Sequence, residues 1–455
     1  MKFITRIVPI ILLAALISGC GTAPDTSPAM TGPKLEQRAR DFVTRMDAGE
    51  YKEARQYFDT PMRLALSQKK LEELWVTLQE QTGTFEKQGN TRLETEQNYQ
   101  IVYVTCRFGL AALDVKVVFN QKGQISGLFF QPAADTTALA PEYVTPAYAD
   151  VNAFHEEEVI VGSGEWQLPG TLTLPTGSGP FPAVVLVHGS GPNDRDETIG
   201  PNRAFKDLAW GLATRGVAVL RYEKRTREYA GRFTGDLMSG LTTQGEVIDD
   251  ALAAVSLLQA RPEINPERVF IVGHSLGATL APKIAEQDAQ IAGLVLLAGA
   301  TRPIEDLMLE QSTYLANADG VIDKDEENQL AGLEALVEQV KALPGQTDVD
   351  PNGLILGAAP AYWLDLIAYN PVATAEKLTQ PMLILQGERD YQVTMTDFAA
   401  WEKAFSSRAN VTLKSYPTLN HLFIAGQGPS LPAEYEIMGH VDAEVIEDIA
   451  NWILQ

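Results

Sequence analysis

Residues 269–278, Val-Phe-Ile-Val-Gly-His-Ser-Leu-Gly-Ala (VFIVGHSLGA), decide how the rest of the chain is read. The apolar run Val269–Val272 suits a strand buried on both faces. A helix-like stretch follows from Leu276. Between them, Gly273-His274-Ser275-Leu276-Gly277 fits the G-x-S-x-G turn, where small residues allow a strained backbone that exposes the serine hydroxyl. The start of the helix, including the Leu276 amide, would then face an anion. Such a turn is a nucleophile elbow only if the chain also supplies a base, an acid and a second oxyanion donor; otherwise it is a Gly-rich turn.

The base is found by elimination among five histidines. Where such an elbow works, its partners follow in the order serine, acid, histidine. His155 and His188 precede Ser275, and His274 sits inside the motif, which leaves His421 and His440. His440 opens the final amphipathic helix, a position suited to capping, so His421 is the expected base. The acid must orient that imidazole. Asp390, in Gln386-Gly387-Glu388-Arg389-Asp390, follows the apolar run Met382–Leu385 and is the expected acid. Its rivals are Glu388 on the same loop, Asp365 and Asp397. The second oxyanion donor is expected after the run Ala183–Val187, in His188-Gly189-Ser190-Gly191-Pro192. There Ser190 is the assigned amide, with Gly189 as alternative.

Working outward, short apolar runs at 183–187, 217–220, 269–272, 294–297 and 382–385 read as buried parallel strands. Helix-like segments at 203–214, 242–259 and 276–287 lie between them, an α/β layer pattern. Residues 301–372 interrupt that rhythm with an acidic helix and the aromatic stretch Ala361-Tyr362-Trp363-Leu364. This insertion is expected to form a helical cap over the carboxyl ends of the strands, where open α/β sheets bind ligands. Gly189, His274, Tyr362 and Trp363 are the candidate pocket residues. Charged stretches at 193–197 and 221–225 follow core strands and read chiefly as ion pairs that stiffen loops. Residues 317–323 with Glu326 look like part of a calcium loop, but its first ligand position would be Leu315, which cannot coordinate. The segment therefore reads as a turn entering an acidic helix, and no metal is expected.

With "HGSGPNDRDE", "LRYEKRT", "GHSLGA" and "QGERDYQVT" in place, the chain from about Glu158 onward resembles the α/β-hydrolase superfamily. Within it, the chain is similar to bacterial serine carboxylesterases. The resemblance implies hydrolysis of carboxylic esters, usually with short acyl groups, and no cofactor. It puts the triad on Ser275, Asp390 and His421, in agreement with the elimination.

The 455 residues leave room for more than this domain. Residues 34–131 read as helices followed by an antiparallel meander, a small α+β domain. They resemble cone-shaped domains of the nuclear-transport-factor or cystatin type, and a spacer or dimerisation role is expected. Residues 132–152 read as a linker, and 153–455 as the catalytic domain. At the other end, Lys2 and Arg6, the apolar run Ile7–Ile17 and the stretch Leu16-Ile17-Ser18-Gly19-Cys20 resemble a bacterial lipobox. Residues 1–19 are then a signal peptide, Cys20 carries lipid, and 20–33 tether an extracytoplasmic protein to the cell membrane or outer membrane. Cys106, the other cysteine, has no partner left for a disulfide and reads as a buried apolar residue. A net charge of −23 argues against nucleic acid as partner.

The expected protein is a lipid-anchored serine esterase with an α/β-hydrolase fold acting on small-molecule esters. A peptidase or thioesterase with the same triad, or a non-catalytic cell-envelope binding protein, are the alternatives.

Overall fold

The computed structural model describes residues 32–96, 99–109, 111–133 and 143–455. The signal peptide, Cys20 and most of the tether therefore lie outside the described residues. The chain divides into two compact units, one up to residue 142 and one from Tyr143 onward.

The first unit packs the helix Gly32–Asp47 and shorter helices, of which Gln68–Thr82 is the longest, on a four-stranded meander. Its strands are β1 (Phe85–Glu96), β2 (Tyr99–Phe108), β3 (Ala111–Phe119) and β4 (Ile125–Pro132), each antiparallel to the next. Leu35, Ala39, Phe42, Val43 and Met46 recur at helical spacing and form the buried stripe of the first helix. The aromatic centre is Trp75, with the rings of Phe85, Phe108 and Phe130 at 5.8, 5.6 and 6.3 Å. Cys106 is fully buried in this core, and burial with the nearby Asp114 charge pushes its thiol up to about 12.

In the second unit the strands are β5 (Phe154–Val161), β6 (Leu168–Pro175), β7 (Phe181–Val187), the short ribbon β8 (Thr198–Ile199) and β9 (Asn202–Arg203), β10 (Ala218–Tyr222), β11 (Ile264–His274), β12 (Leu294–Leu297), β13 (Met382–Gly387) and β14 (Val411–Tyr416). Apart from the ribbon they form one sheet in the order β14-β13-β12-β11-β7-β10-β6-β5. The strands from β14 to β10 run parallel, and β6 and β5 are antiparallel at the edge. This is the α/β-hydrolase fold, and the cores on its two faces are made by helices that include Leu276–Gln287 and Asp249–Gln259 on one side and Ala204–Thr214 and Ala443–Leu454 on the other. Val184, Val185, Ile271, Val272, Leu294 and Val295 are fully buried, which explains why these strands read as unbroken apolar runs. Each such side chain contributes about 1.5–3 kcal/mol of burial.

β5 and β6, outside the apolar runs read as parallel strands, extend the sheet with antiparallel pairing from just after the expected domain start at 153. Two boundaries differ from the sequence reading. Gly32 and Pro33, assigned to the tether, begin the first helix, where Pro needs no amide bond. Residues 143–152, assigned to the linker, pack on the second unit: Tyr143 Oη donates to Asp207 (2.6 Å) and its ring stands edge-on to Trp210. Composition gave no sign of this, since the anchoring groups are two isolated aromatic rings, Tyr143 and Tyr148, within a Pro/Ala stretch.

Between β12 and β13 the helices Ile304–Ala316, Lys324–Ala342 and Pro360–Ile367 form the insertion expected as a cap. They share a small core of Val340, Leu343 and Trp363. The calcium-like segment resolves into a capping box: Asp323 accepts from the Asp325 and Glu326 amides, and Glu326 accepts from the Asp323 amide at 2.7 Å. Among the described residues, no group of three or more His, Cys, Asp or Glu side chains could hold a metal ion, and no helix is long and apolar enough to cross a membrane.

Candidate active site

The turn after β11 is strained where the motif predicts. Ser275 has φ +53° and ψ −116°, a left-handed backbone that a non-glycine residue rarely adopts. The glycines around it are sterically required: a Cβ on Gly273 would lie 2.4 Å from the Gly277 carbonyl oxygen, and one on Gly277 would lie 2.1 Å from the Val187 oxygen. The Ser275 amide donates to Leu297 O on β12 (2.9 Å), which fixes the turn to the next strand. Leu276 is the first residue of the following helix, so its amide is one of the four that have no carbonyl inside the helix.

The expected base and acid meet. His421 Nδ1 lies 2.6 Å from Asp390 Oδ2, and both residues are buried. Asp390 Oδ1 accepts from the amides of Gln392 (2.7 Å) and Val393 (3.0 Å), and Gln386 Nε2 donates to Oδ2 at 3.2 Å. A carboxylate held by four donors is fixed in orientation. It holds the imidazole with a proton on Nδ1 and a lone pair on Nε2. The rivals are engaged elsewhere. Glu388 is exposed and accepts from Ser415 Oγ (2.8 Å). Asp365 binds Lys283 and Thr243, and Asp397 is buried against Thr301 and Arg302. His440 contacts Asp207 at 3.0 Å, and His155 is exposed on β5. No hydrogen bond joins Ser275 Oγ to His421 among the described residues.

The loop after β7 is tied down from behind. Lys224 Nζ donates to Gly189 O (2.8 Å), and Asn193 Nδ2 donates to the carbonyls of Gly189 and Ser190 (3.1 Å each). The Gly189 amide donates to Glu197 Oε1 at 2.6 Å. That bond occupies the amide of Gly189, the alternative oxyanion donor of the sequence reading. Glu197 Oε2 lies 2.8 Å from His274 Nδ1, a close charge contact although poorly aligned as a hydrogen bond. His274 Nε2 lies 2.9 Å from the His421 carbonyl oxygen, and the two imidazole rings are 4.7 Å apart. Burial works against charge on His274, but the Glu197 charge and the His421 carbonyl outweigh it and raise its affinity for a proton. Burial likewise works against charge on Glu197, yet His274, His188 and the Gly189 amide hold its carboxyl below the usual range. By contrast, burial pushes His188 down to about 4 despite the Glu197 charge nearby.

A cavity of about 660 Å³ opens beside Ser275, Leu276 and Ser190. Phe233, Met238, Ile304, Met308 and Leu366 give it apolar walls. Tyr362 and Trp363 line it as expected; Gly189 and His274 do not and lie behind the loop instead. Gly189 is bonded to Glu197 there, and His274 is held between Glu197 and the His421 carbonyl. The structure adds a second wall, residues 225–243, whose short helices carry no long periodic pattern in sequence. It also adds Glu246. The run 242–259 reads as one helix, but Gln244–Ile248 is wound as a π-helix, a form common at functional sites. Glu246, from that turn, lines the cavity and accepts from Tyr362 Oη (2.5 Å) and Thr226 Oγ1 (3.1 Å), with Lys224 Nζ at 3.3 Å. Burial pushes the Tyr362 hydroxyl well above its usual value, so it stays a donor. Most other charges of 193–197 and 221–225 form ion pairs, Arg195 with Glu158 and Glu223, Arg221 with Glu156 and Asp196, and Arg225 with Asp250, while Asp194 accepts from the Thr198 amide (2.9 Å).

The chain is similar to known proteins. Residues 184–431 match the alpha/beta hydrolase family, and residues 39–128 match a family described as proteins of unknown function, DUF3887. The esterase EstD of Thermotoga maritima is 39% identical over 422 residues, covering 92% of this chain and 96% of the relative. Among solved structures, Est1E from Butyrivibrio proteoclasticus aligns with a TM-score of 0.42 at 16% identity, over 66% of this chain and 99% of its own. The esterase of Pyrobaculum calidifontis aligns with a TM-score of 0.43 at 14% identity, over 66% and 85% respectively.

Proposed function

This chain belongs to the alpha/beta hydrolase family, and we propose that it is a carboxylesterase-type serine hydrolase with Ser275, His421 and Asp390 as its triad. The 2.6 Å contact of Asp390 with His421, in the same unit as the strained Ser275 turn, carries this reading. The near full-length similarity to an esterase supports the reaction class.

In this mechanism His421 Nε2 takes the proton from Ser275 Oγ as the oxygen bonds to the ester carbonyl carbon. The carbonyl oxygen becomes an oxyanion and accepts from the Leu276 and Ser190 amides. Asp390 stabilises the imidazolium. The bond to the alcohol oxygen then breaks, and His421 returns the proton to that oxygen. Water repeats the sequence on the acyl-enzyme: His421 takes its proton, hydroxide adds to the carbonyl carbon, and Ser275 leaves with the proton. Short acyl chains are the proposed substrates, with the cavity holding acyl and alcohol parts together.

The test is a p-nitrophenyl ester series from acetate to palmitate, with Ser275→Ala as control. The variant should lose about 10⁴-fold or more in kcat. Activity that survives Ser275→Ala refutes the reading, and an optimum at palmitate refutes the short-chain part.

The lipobox-like stretch ending at Cys20 suggests lipid anchoring outside the cytoplasm. Cells fed a labelled fatty acid should mark the wild-type chain and not Cys20→Ala. We assign residues 34–131, a cone-type domain on this reading, to spacing or dimerisation.

A further inference from the structure

We propose that Glu197 and His274 form a positioning pair that holds the oxyanion loop and the base in register during ester hydrolysis. The inference rests on the triad reading above. Three links define it. Gly189 N–H donates to Glu197 Oε1 (2.6 Å), Glu197 Oε2 contacts His274 Nδ1 (2.8 Å), and His274 Nε2 meets the His421 carbonyl oxygen (2.9 Å). Gly189 directly precedes the donor Ser190, and His274 directly precedes the nucleophile Ser275. The third link ends on the base itself. One buried chain of contacts therefore reaches the donor loop, the nucleophile turn and the base, without reaching the cavity.

Proton counting shows how the chain holds together. A carbonyl oxygen only accepts, so His274 Nε2 must carry a proton. Nδ1 faces a carboxylate oxygen, so a second proton lies on Nδ1 or on Glu197. The pair keeps that second proton only while it stays paired. The groups that face His274 are Glu197, the His421 ring and, beyond it, Asp390; His188 lies within electrostatic reach of Glu197. Glu197 and His274 are 2% and 5% exposed, so solvent does not compete for these contacts. The backbone of Glu197 is itself left-handed, φ +48°, a conformation that a carboxylate side chain holds only where its surroundings require it. His421 thus has two supports: Asp390 sets the tautomer and ring angle, and His274 holds the backbone that carries the ring. A misplacement of about 1 Å in such a site can cost about 100-fold in rate.

The experiment measures kcat and KM with p-nitrophenyl acetate for wild type, Glu197→Ala, His274→Ala, the double variant and Glu197→Gln. Each alanine variant should lower kcat about 10- to 100-fold and leave KM within about threefold. The double variant should fall no further than the worse single one, since the residues act as a unit. Glu197→Gln should restore most of kcat: its amide oxygen accepts from Gly189, and its NH₂ donates to a His274 tautomer protonated on Nε2. That variant has no proton to lose between residues 197 and 274, so the alkaline limb of its kcat profile should extend to higher pH. An unchanged kcat in the alanine variants, a loss confined to KM, or a Glu197→Gln activity as low as that of Glu197→Ala would overturn the proposal. If the alanine variants do not fold, the Glu197→Gln profile decides alone, and an unshifted alkaline limb overturns it. Ser275→Ala separates the two levels: if it stays active the triad reading has failed, whereas a dead Ser275→Ala beside a fully active Glu197→Ala defeats only the positioning pair.

Discussion

The two units of this chain bury different things. The N-terminal sheet buries aromatic and aliphatic side chains around Trp75; among the described residues its buried polar side chains are Thr105 and Asp114, bonded to each other at 2.8 Å. The catalytic unit buries His188, Glu197, Lys224, His274, Asp390 and His421, most of them on loops at the carboxyl ends of β7, β10, β11, β13 and β14. Burying an ionisable group costs free energy unless partners satisfy it. The contrast teaches where to look: one core is organised to exclude water, and the other to hold charge still.

The contrast can be broken at its strongest point by Asp390→Asn. The Asn carbonyl would keep the bonds from the Gln392 and Val393 amides, and its NH₂ would then face His421 Nδ1. That reverses the imidazole tautomer and removes the lone pair from Nε2. The expected loss is about 10⁴-fold in kcat, measured on a p-nitrophenyl ester, with a melting temperature close to that of wild type. A loss under about tenfold would remove Asp390 from the proposed triad. The opposite break is Trp75→Ala, which should cost about 3–5 kcal/mol in the N-terminal unit. Denaturant unfolding of that unit should shift while kcat/KM stays within about twofold; a matching fall in turnover would tie the N-terminal core to the chemistry.

The smaller test sharpens the comparison. His188 is neutral when folded, with its value pushed down to about 4, against about 6.5 when unfolded. Between those limits the unfolded chain binds a proton that the folded chain refuses, so stability falls as pH falls from about 6.5 towards 4. The largest loss from this group is about 3 kcal/mol. His188→Phe should flatten that part of the stability–pH curve, measured by urea unfolding at several pH values. A curve as steep as wild type would assign the acid sensitivity to other groups.

Much of the fold was legible because fully buried strands write themselves as apolar runs, and the elbow was legible because Gly273 and Gly277 have no substitute. Asp390 and His421 were chosen by their order in the chain and their place after strands, and they meet at 2.6 Å. Glu197, Lys224 and Glu246 were not found. Glu197 lies in a charged loop whose other acids bond to the Thr198 amide and to Arg221, and nothing local in the sequence separates it from them. Lys224 sits among charged neighbours in Glu223-Lys224-Arg225, of which it alone reaches the Gly189 carbonyl. Gly189 and His274 were expected in the pocket, but their contacts run behind the cavity instead of into it. Periodicity also concealed residues 143–152, which are held by single aromatic contacts and not by a repeating pattern.

The π-helical turn at Gln244–Ile248 makes chain length itself a setting of the binding site. It is one residue more than an ordinary turn contains. Deleting that residue would restore regular winding and swing Glu246 about 100° around the helix axis. The carboxylate would leave the cavity wall, and Tyr362 on the cap would lose its partner. Insertion or deletion of a single residue can thus turn this wall from polar to apolar with no change to the sheet or the triad.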